Sequence, residues 1–267
     1  MHNNIQMIAI DIDGTLLDDN YQWDYETRDL LLELQRSDIS IMLCTGRALS
    51  ATINIARDMG MESYLVTDNG AIVYHIPTNR NLAVKQLAIQ EHSDLLHILD
   101  QTGAHLDLTS VEGMYAKPHN AEIANMYKKY LVNPEIVADM TTVREPIVKA
   151  TLFAPPDHIT SIMNYLPDQL STIPVQCFQS GPTFIDIMHQ ETSKGNALQY
   201  LSNYLEIPTQ GIMAIGNYYN DLDMIRYAGI GVAMENAPED IKKEAVYTTA
   251  SNNDQGVKKA IEHFLKK

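Results

Sequence analysis

The chain has 267 residues, 45% of them hydrophobic, which is enough for one large domain or two of ordinary size. Its formal net charge of -15 gives no electrostatic ground for binding nucleic acid or an anionic membrane, so any phosphate site must be assembled locally from a cation, backbone N–H groups and a Lys or Arg. Cys44 and Cys177 make no disulfide framework, no basic segment followed by an apolar run opens the sequence, and no apolar run approaches the roughly 20 residues of a membrane helix; a soluble cytoplasmic protein is expected.

In chain order, the apolar run Ile5 to Ile12 reads as a buried strand ending in turn residues. Asp24 is placed to cap a helix from Tyr25 to about Ser37, with Leu30, Leu31 and Leu34 inward. Ser40 to Cys44 is a second strand, Leu49 to Met59 a helix closed by Gly60, and Tyr64 to Thr67 a third strand. This alternation predicts a parallel sheet with helices on both faces. From about Leu82 to His189 the order changes to helix, hairpin, helix, strand, helix, hairpin. Turns are expected at Glu112-Gly113 and Ser180-Gly181-Pro182. Tight turns make antiparallel sheets, so residues 82–189 are expected to form a second, α+β domain inserted into an α/β core made of 1–81 and 190–267. His75 to Asn81, with Pro77, is expected as a hinge. The tail resumes the first pattern. A helix spans Ser193 to Leu205, a strand Gly211 to Gly216 and a helix Asn220 to Tyr227. A strand follows at Gly229 to Met234, a helix at Pro238 to Ala245, a short strand at Val246 to Thr248 and a last helix at Gly256 to Leu265.

Four loops carry chemistry. Asp11 and Asp13 follow the first strand at a spacing of two, which predicts that both carboxylates face one way at the carboxyl end of the sheet. By itself such a pair also fits a polar turn. A calcium loop is excluded, because its sixth position would be Leu16 and its twelfth Gln22. Paired carboxylates are relieved by a divalent cation, and oxygen-rich sites that share phosphate suit Mg²⁺. One carboxylate could then attack phosphorus while the other moves protons. Thr45-Gly46-Arg47 ends the second strand and is expected to open a helix, whose N-terminus attracts phosphate. Lys194 sits in the first turn of a helix, where the dipole disfavours it unless it balances nearby anions. Gly216-Asn217-Tyr218-Tyr219-Asn220-Asp221 is another oxygen-rich loop after an apolar strand.

Together these stretches resemble the haloacid dehalogenase superfamily, in its Cof-type group of sugar-phosphate phosphatases with a large inserted cap. The resemblance rests on Asp11-Ile12-Asp13-Gly14-Thr15-Leu16-Leu17-Asp18, Leu43-Cys44-Thr45-Gly46-Arg47, Thr67-Asp68-Asn69-Gly70-Ala71, Ser193-Lys194-Gly195, Gly216-Asn217 to Asp221, and Asp254-Gln255-Gly256-Val257. It implies a Rossmann-like core and a Mg²⁺-dependent phosphatase for small phosphomonoesters. Asp11 would be nucleophile and metal ligand, and Asp13 the acid/base, with its carbonyl on the metal. Backbone N–H groups near Ile12, Thr45 with Gly46, Lys194 and Asn220 would hold the phosphoryl oxygens. Asp221 would support the metal or Lys194. The cap would close over the site and select the leaving group. One position departs from the pattern: Asn217 stands where the family has a metal-binding Asp, so weaker magnesium binding is expected. That departure motivates an alternative, a catalytically weak phospholigand sensor; a phosphosugar mutase is a further one. The expected partner is a small phosphorylated metabolite, and both monomer and homodimer remain open. Glu112, Tyr115 and His119 are candidates for substrate contact on the cap. Nucleotide and dinucleotide loops and paired zinc histidines are absent from the sequence.

Overall fold

The computed structural model describes residues 5–87, 89, 93–129 and 132–265. Its elements are, in order, β1 (Met7–Asp11), α1 (Tyr25–Arg36), β2 (Ser40–Cys44), α2 (Leu49–Asp58), β3 (Tyr64–Thr67), β4 (Ile72–His75), β5 (Arg80–Val84), α3 (Ser93–Gln101), β6 (His105–Ser110), β7 (Met114–Ala116), α4 (Ala121–Lys129), β8 (Glu135–Ile136), β9 (Ile147–Phe153), α5 (Pro156–Met163), α6 (Leu166–Gln169), β10 (Val175–Gly181), β11 (Phe184–His189), α7 (Lys194–Tyr204), β12 (Ile212–Gly216), α8 (Leu222–Tyr227), β13 (Ile230–Ala233), α9 (Glu239–Glu244), β14 (Tyr247–Thr248) and α10 (Gly256–Leu265). They fall into two compact units, Met1–Ala83 with Thr192–Lys267, and Val84–Glu191. No helix among the described residues is long and apolar enough to cross a membrane.

The first unit is built on a sheet ordered β14-β13-β12-β1-β2-β3-β4-β5. β14 through β3 run parallel, and β4 turns back antiparallel on β3. The central strands are apolar throughout because both faces are covered. Met7, Ala9, Met42, Cys44, Ile212 and Ala214 pack under Ala197, Leu198 and Leu201 of α7 and Met224 of α8. Each of the fully buried Met, Ile and Leu side chains among them contributes on the order of 1.5–3 kcal/mol. Helix ends follow local chemistry: the Asp24 carboxylate accepts from the Thr27 N–H at 2.8 Å, and the Ser193 hydroxyl from the Asn196 N–H at 3.1 Å.

The His75 to Asn81 segment differs from the expected hinge. It is the connection between β4 and β5, two neighbouring strands of this sheet, with Asn79 at φ 53° in the turn. Its Pro and polar residues mark a turn beside an edge strand, where exposed Arg80 and Asn81 keep β5 polar.

The second unit is a sheet ordered β10-β11-β9-β6-β7-β8. The β6–β7 and β10–β11 hairpins are antiparallel, the latter with an irregularity between Gln179 and Gly181. Alternation along the strands gives one apolar face, where Leu106, Leu108, Ala150, Leu152, Ile185 and Ile187 pack with Leu95 and Leu99 of α3 and Ile159 and Ile162 of α5. The opposite side chains are polar: Asp107 pairs in register with Thr151, and Thr151 with Asp186.

Candidate active site

β1 lies between β12 and β2, and all three are parallel. The chain leaves β1 towards β2 on one side, and β12 closes the other. The loops after Asp11, Cys44 and Gly216 therefore meet at the carboxyl end of the sheet, where strand order reverses and open α/β sheets bind ligands.

Asp11 is the last residue of β1 and only 4% exposed. Its Oδ1 accepts from Lys194 Nζ at 2.6 Å, and the same ammonium donates to Asp221 Oδ1 at 2.6 Å. The Lys194 side chain is wholly buried, so this is a dry carboxylate–ammonium–carboxylate triad. Burial alone would push the ammonium's pKa down, but Asp11 and Asp221 outweigh it and hold Lys194 charged, above its ordinary value. Burial first, then the charge of Asp221, pushes the Asp11 carboxyl up to about 7 against the pull of Lys194. The unfavourable place of Lys194 in the first turn of α7 is thus offset by the two carboxylates it joins.

Asp221 uses its second oxygen to accept from the N–H groups of Asn217 at 2.8 Å and Tyr218 at 3.0 Å. With both oxygens engaged, it orients Lys194 and folds the 217–221 loop; the structure places it on Lys194 and not in the ring of oxygens described below. Gly216 leaves room for it, since a Cβ there would lie 2.5 Å from Asp221 Cβ.

Asp13 departs from the strand-alternation reading. β1 ends at Asp11, and the N–H groups of Leu16 and Leu17 turn back to the Ile12 carbonyl at 3.0 and 2.9 Å, with Gly14 at φ 75°. The two carboxylates therefore part. Asp11 points into the buried triad, while exposed Asp13 receives a two-pronged contact from Arg47, Nε to Oδ2 at 2.8 Å and Nη2 to Oδ1 at 2.5 Å. The guanidinium also lies 5.8 Å from the Tyr21 ring centre.

The Thr45 loop likewise differs from a helix start. α2 begins at Leu49, with Ala48 as its cap, so Thr45 and Gly46 precede the helix rather than open it. Thr45 is buried, and its hydroxyl accepts from the Arg47 N–H at 3.1 Å. Gly46 abuts Asn69, whose Oδ1 would lie 2.9 Å from a Cβ at that position. The same Oδ1 accepts from Asn220 Nδ2 at 3.0 Å. Asn69 thus ties the Thr45 loop to the Asn220 loop. It stands in a left-handed run with Asp68 and Gly70, at φ 53°, 48° and 106°. Gly70 is required there, because a Cβ would lie 2.2 Å from the Ser193 carbonyl oxygen that starts α7.

Arg47 and Asn69 carry no role in the sequence reading. Both stand in the motif stretches, and the Asn-Gly pair is the turn signal available for Asn69. Nothing local signals the Arg47 contact, which spans 34 residues. Ile12 contributes main chain only, its side chain being buried. In the inserted unit, His119 belongs to a ring cluster with His105 and Tyr127, at centroid distances of 5.6 and 5.2 Å.

A divalent cation must find its donors among unlike oxygens, since no group of three or more His, Cys, Asp or Glu among the described residues could hold one. One terminal atom of the Asn217 carboxamide lies 3.1 Å from Asp11 Oδ2, 3.1 Å from the Asp13 carbonyl oxygen and 3.2 Å from Thr15 Oγ1. Adjacent ligand oxygens around octahedral Mg²⁺ stand about 2.9 Å apart, given Mg–O bonds of about 2.0–2.1 Å. A carboxylate, a carbonyl and an amide oxygen at this spacing fit a hard cation that keeps several waters.

Known proteins resemble this chain along nearly its whole length. The family model for haloacid dehalogenase-like hydrolases matches residues 8–261. YxeH of Bacillus subtilis is 29% identical over 97% of this chain and 98% of its own. The 5-amino-6-(5-phospho-D-ribitylamino)uracil phosphatase YcsE of Bacillus subtilis is 28% identical over 98% and 96%. Among solved structures, TM0651 from Thermotoga maritima superposes with a TM-score of 0.89 at 26% identity, over 97% of both chains. The chain belongs to the haloacid dehalogenase-like hydrolases, as a phosphatase of that superfamily.

Proposed function

We propose that this phosphoric monoester hydrolase works through a phospho-aspartate on Asp11, uses Mg²⁺, and acts on a small metabolite bearing phosphate on a sugar or polyol chain. The observation that carries the reading is the placement of Asp11. One oxygen is held by a buried ammonium, and the other lies in a ring of oxygens suited to a cation. A carboxylate so held can approach a phosphate dianion, because Lys194 offsets part of the charge of both.

In the first step an Asp11 oxygen bonds to phosphorus as the bond to the leaving oxygen breaks, and Asp13, having taken a proton from solvent on the oxygen that Arg47 releases, gives it to the leaving oxygen. In the second step a water attacks phosphorus, Asp13 takes the water's proton, and the bond to Asp11 breaks. The products are an alcohol and inorganic phosphate, with both carboxyls restored. Asp13 gives up one of its two Arg47 bonds to reach the leaving oxygen. Lys194, the Thr45 hydroxyl, the Gly46 N–H, the N–H groups near Ile12 and the second N–H of Asn220 are assigned to the phosphoryl oxygens. Mg²⁺, held by Asp11, the Asp13 carbonyl and Asn217, would supply charge neutralisation between carboxylate and phosphate. Selection of the leaving group is assigned to the inserted unit. The polyol phosphate named as substrate of YcsE supports the substrate class.

The test is phosphate release from a panel of sugar, polyol and nucleotide phosphates, with Mg²⁺ titrated. Release that depends on Mg²⁺ and disappears in Asp11→Asn is expected. Undiminished release by that variant would refute the phospho-aspartate.

A further inference from the structure

We infer that the Asn217 carboxamide is a two-position element that occupies the cation's place with its own N–H groups and must turn over to bind Mg²⁺; the inference rests on the magnesium reading above. The two ends of the amide differ in what they can do: one donates and the other accepts. If Nδ2 faces the site, it donates to acceptors 3.1 Å away at Asp11 Oδ2 and the Asp13 carbonyl, with Thr15 Oγ1 at 3.2 Å. The Thr15 hydroxyl is then free to donate to the Asp11 carboxylate, which it also reaches. If Oδ1 faces the site, only the Thr15 hydroxyl can donate to it, at 3.2 Å. Asn217 Oδ1 then faces Asp11 Oδ2 and the Asp13 carbonyl oxygen, each at 3.1 Å, and while Asp11 is ionised no proton lies between them. A carboxylate and two carbonyl-type oxygens at that spacing are stable only around a cation.

The same position therefore favours nitrogen inward without a cation and oxygen inward with one. Turning between them needs no main-chain movement. The Asn217 N–H stays on Asp221 Oδ2, and rotation about the terminal torsion exchanges two atoms of nearly equal size. Gly14 gives the outer amide atom its space, since a Cβ there would lie 2.5 Å from that position.

A carboxylate at 217 could not do this. It would add a third acceptor beside Asp11 Oδ2 and the Asp13 carbonyl and so depend on the cation. Asn217→Asp should then have two opposite effects: a less stable protein in EDTA, and Mg²⁺ binding tighter by about tenfold or more, because site affinity follows ligand charge. Asn217→Ala, which keeps neither end of the amide, should be less stable than wild type in EDTA and gain little from Mg²⁺.

The experiment is thermal unfolding of the full chain as wild type, Asn217→Asp and Asn217→Ala, in EDTA and across a Mg²⁺ titration. It is paired with the Asn217 side-chain ¹⁵NH₂ resonance of the wild type, which should shift as the cation binds. The expected result is a lower midpoint for Asn217→Asp in EDTA and a larger Mg²⁺-dependent rise. If Mg²⁺ raises both midpoints but Asn217→Asp equals or exceeds wild type in EDTA, the amide is no cation substitute and the inference fails alone. If Mg²⁺ shifts neither protein, the magnesium reading fails and the inference with it.

Discussion

Lys194→Met is the sharpest perturbation of this molecule. Methionine keeps most of the length and volume of the side chain and removes only the ammonium. Each of its two 2.6 Å contacts is worth about 6 kcal/mol of gross attraction at an effective dielectric of about 20. Most of that is offset by the desolvation of three charged groups. What the variant suffers is the stranding of two buried carboxylates, which costs roughly 3–5 kcal/mol when a buried pair is broken. The assay is urea unfolding at pH 8 in EDTA, so that no cation replaces the ammonium. Asp221→Asn serves as the second arm of a double-mutant cycle. In the Lys194→Met background it removes one of the two stranded charges, so it should recover part of the lost stability, while phosphate release stays lost. A loss below about 1 kcal/mol, or a double variant no more stable than Lys194→Met, would refute the triad as a coupled network.

Arg47→Met should leave stability within about 1 kcal/mol, since the side chains of its pair with Asp13 are 32% and 43% exposed and screened by water. It should lower kcat/KM by about tenfold or more through loss of Asp13 orientation, with Arg47→Lys only partly restoring it, because an ammonium cannot grip both oxygens; wild-type kinetics in Arg47→Met would remove that role. In the inserted unit, burial pushes the Asp107 carboxyl up to about 7, with Asp186 adding to the shift and Lys149 and the Tyr127 hydroxyl opposing it. The native state then holds a proton that the unfolded chain releases near pH 3.9, so stability falls as pH rises from about 4 to 7, by up to about 4 kcal/mol. Asp107→Asn should therefore be more stable relative to wild type at pH 8 than at pH 4.5 in urea unfolding, and a difference that does not change with pH would contradict the buried-carboxyl reading.

The core was legible where local chemistry and burial agree. Apolar runs ending at Asp11, Cys44 and Gly216 fix three buried parallel strands, and caps at Asp24 and Ser193 fix the starts of two helices. β5 was obscured because an edge strand with exposed Arg80 and Asn81 has the composition of a linker. At the site, residue types were readable but directions were not. Asp-x-Asp spacing implies a common face only while the chain stays extended, and Gly14 ends that at once. The partner of Asp13 lies 34 residues away, and that of Asp11 183 away, so no local pattern encodes either contact. Asp221 was the more readable case: an acidic residue four positions after Asn217 can accept its N–H, and here it does.

The charge balance links these features. A chain of formal net charge -15 has to receive a phosphate dianion, yet its site already gathers Asp11, Asp13 and Asp221. Lys194 balances the buried pair and Arg47 the exposed carboxylate, which leaves one net negative charge before any cation enters. An aspartate at 217 would double that excess and draw a cation more strongly, but it would repel phosphate whenever the cation is gone. The neutral amide takes the opposite course. On the proposed reading its N–H groups would hold Asp11 in place and keep the site less repulsive to phosphate before a cation binds, at the expense of cation affinity. If magnesium is the cation, its removal should then move the unfolding midpoint little while phosphate release falls, and a large loss of stability in EDTA would contradict the exchange.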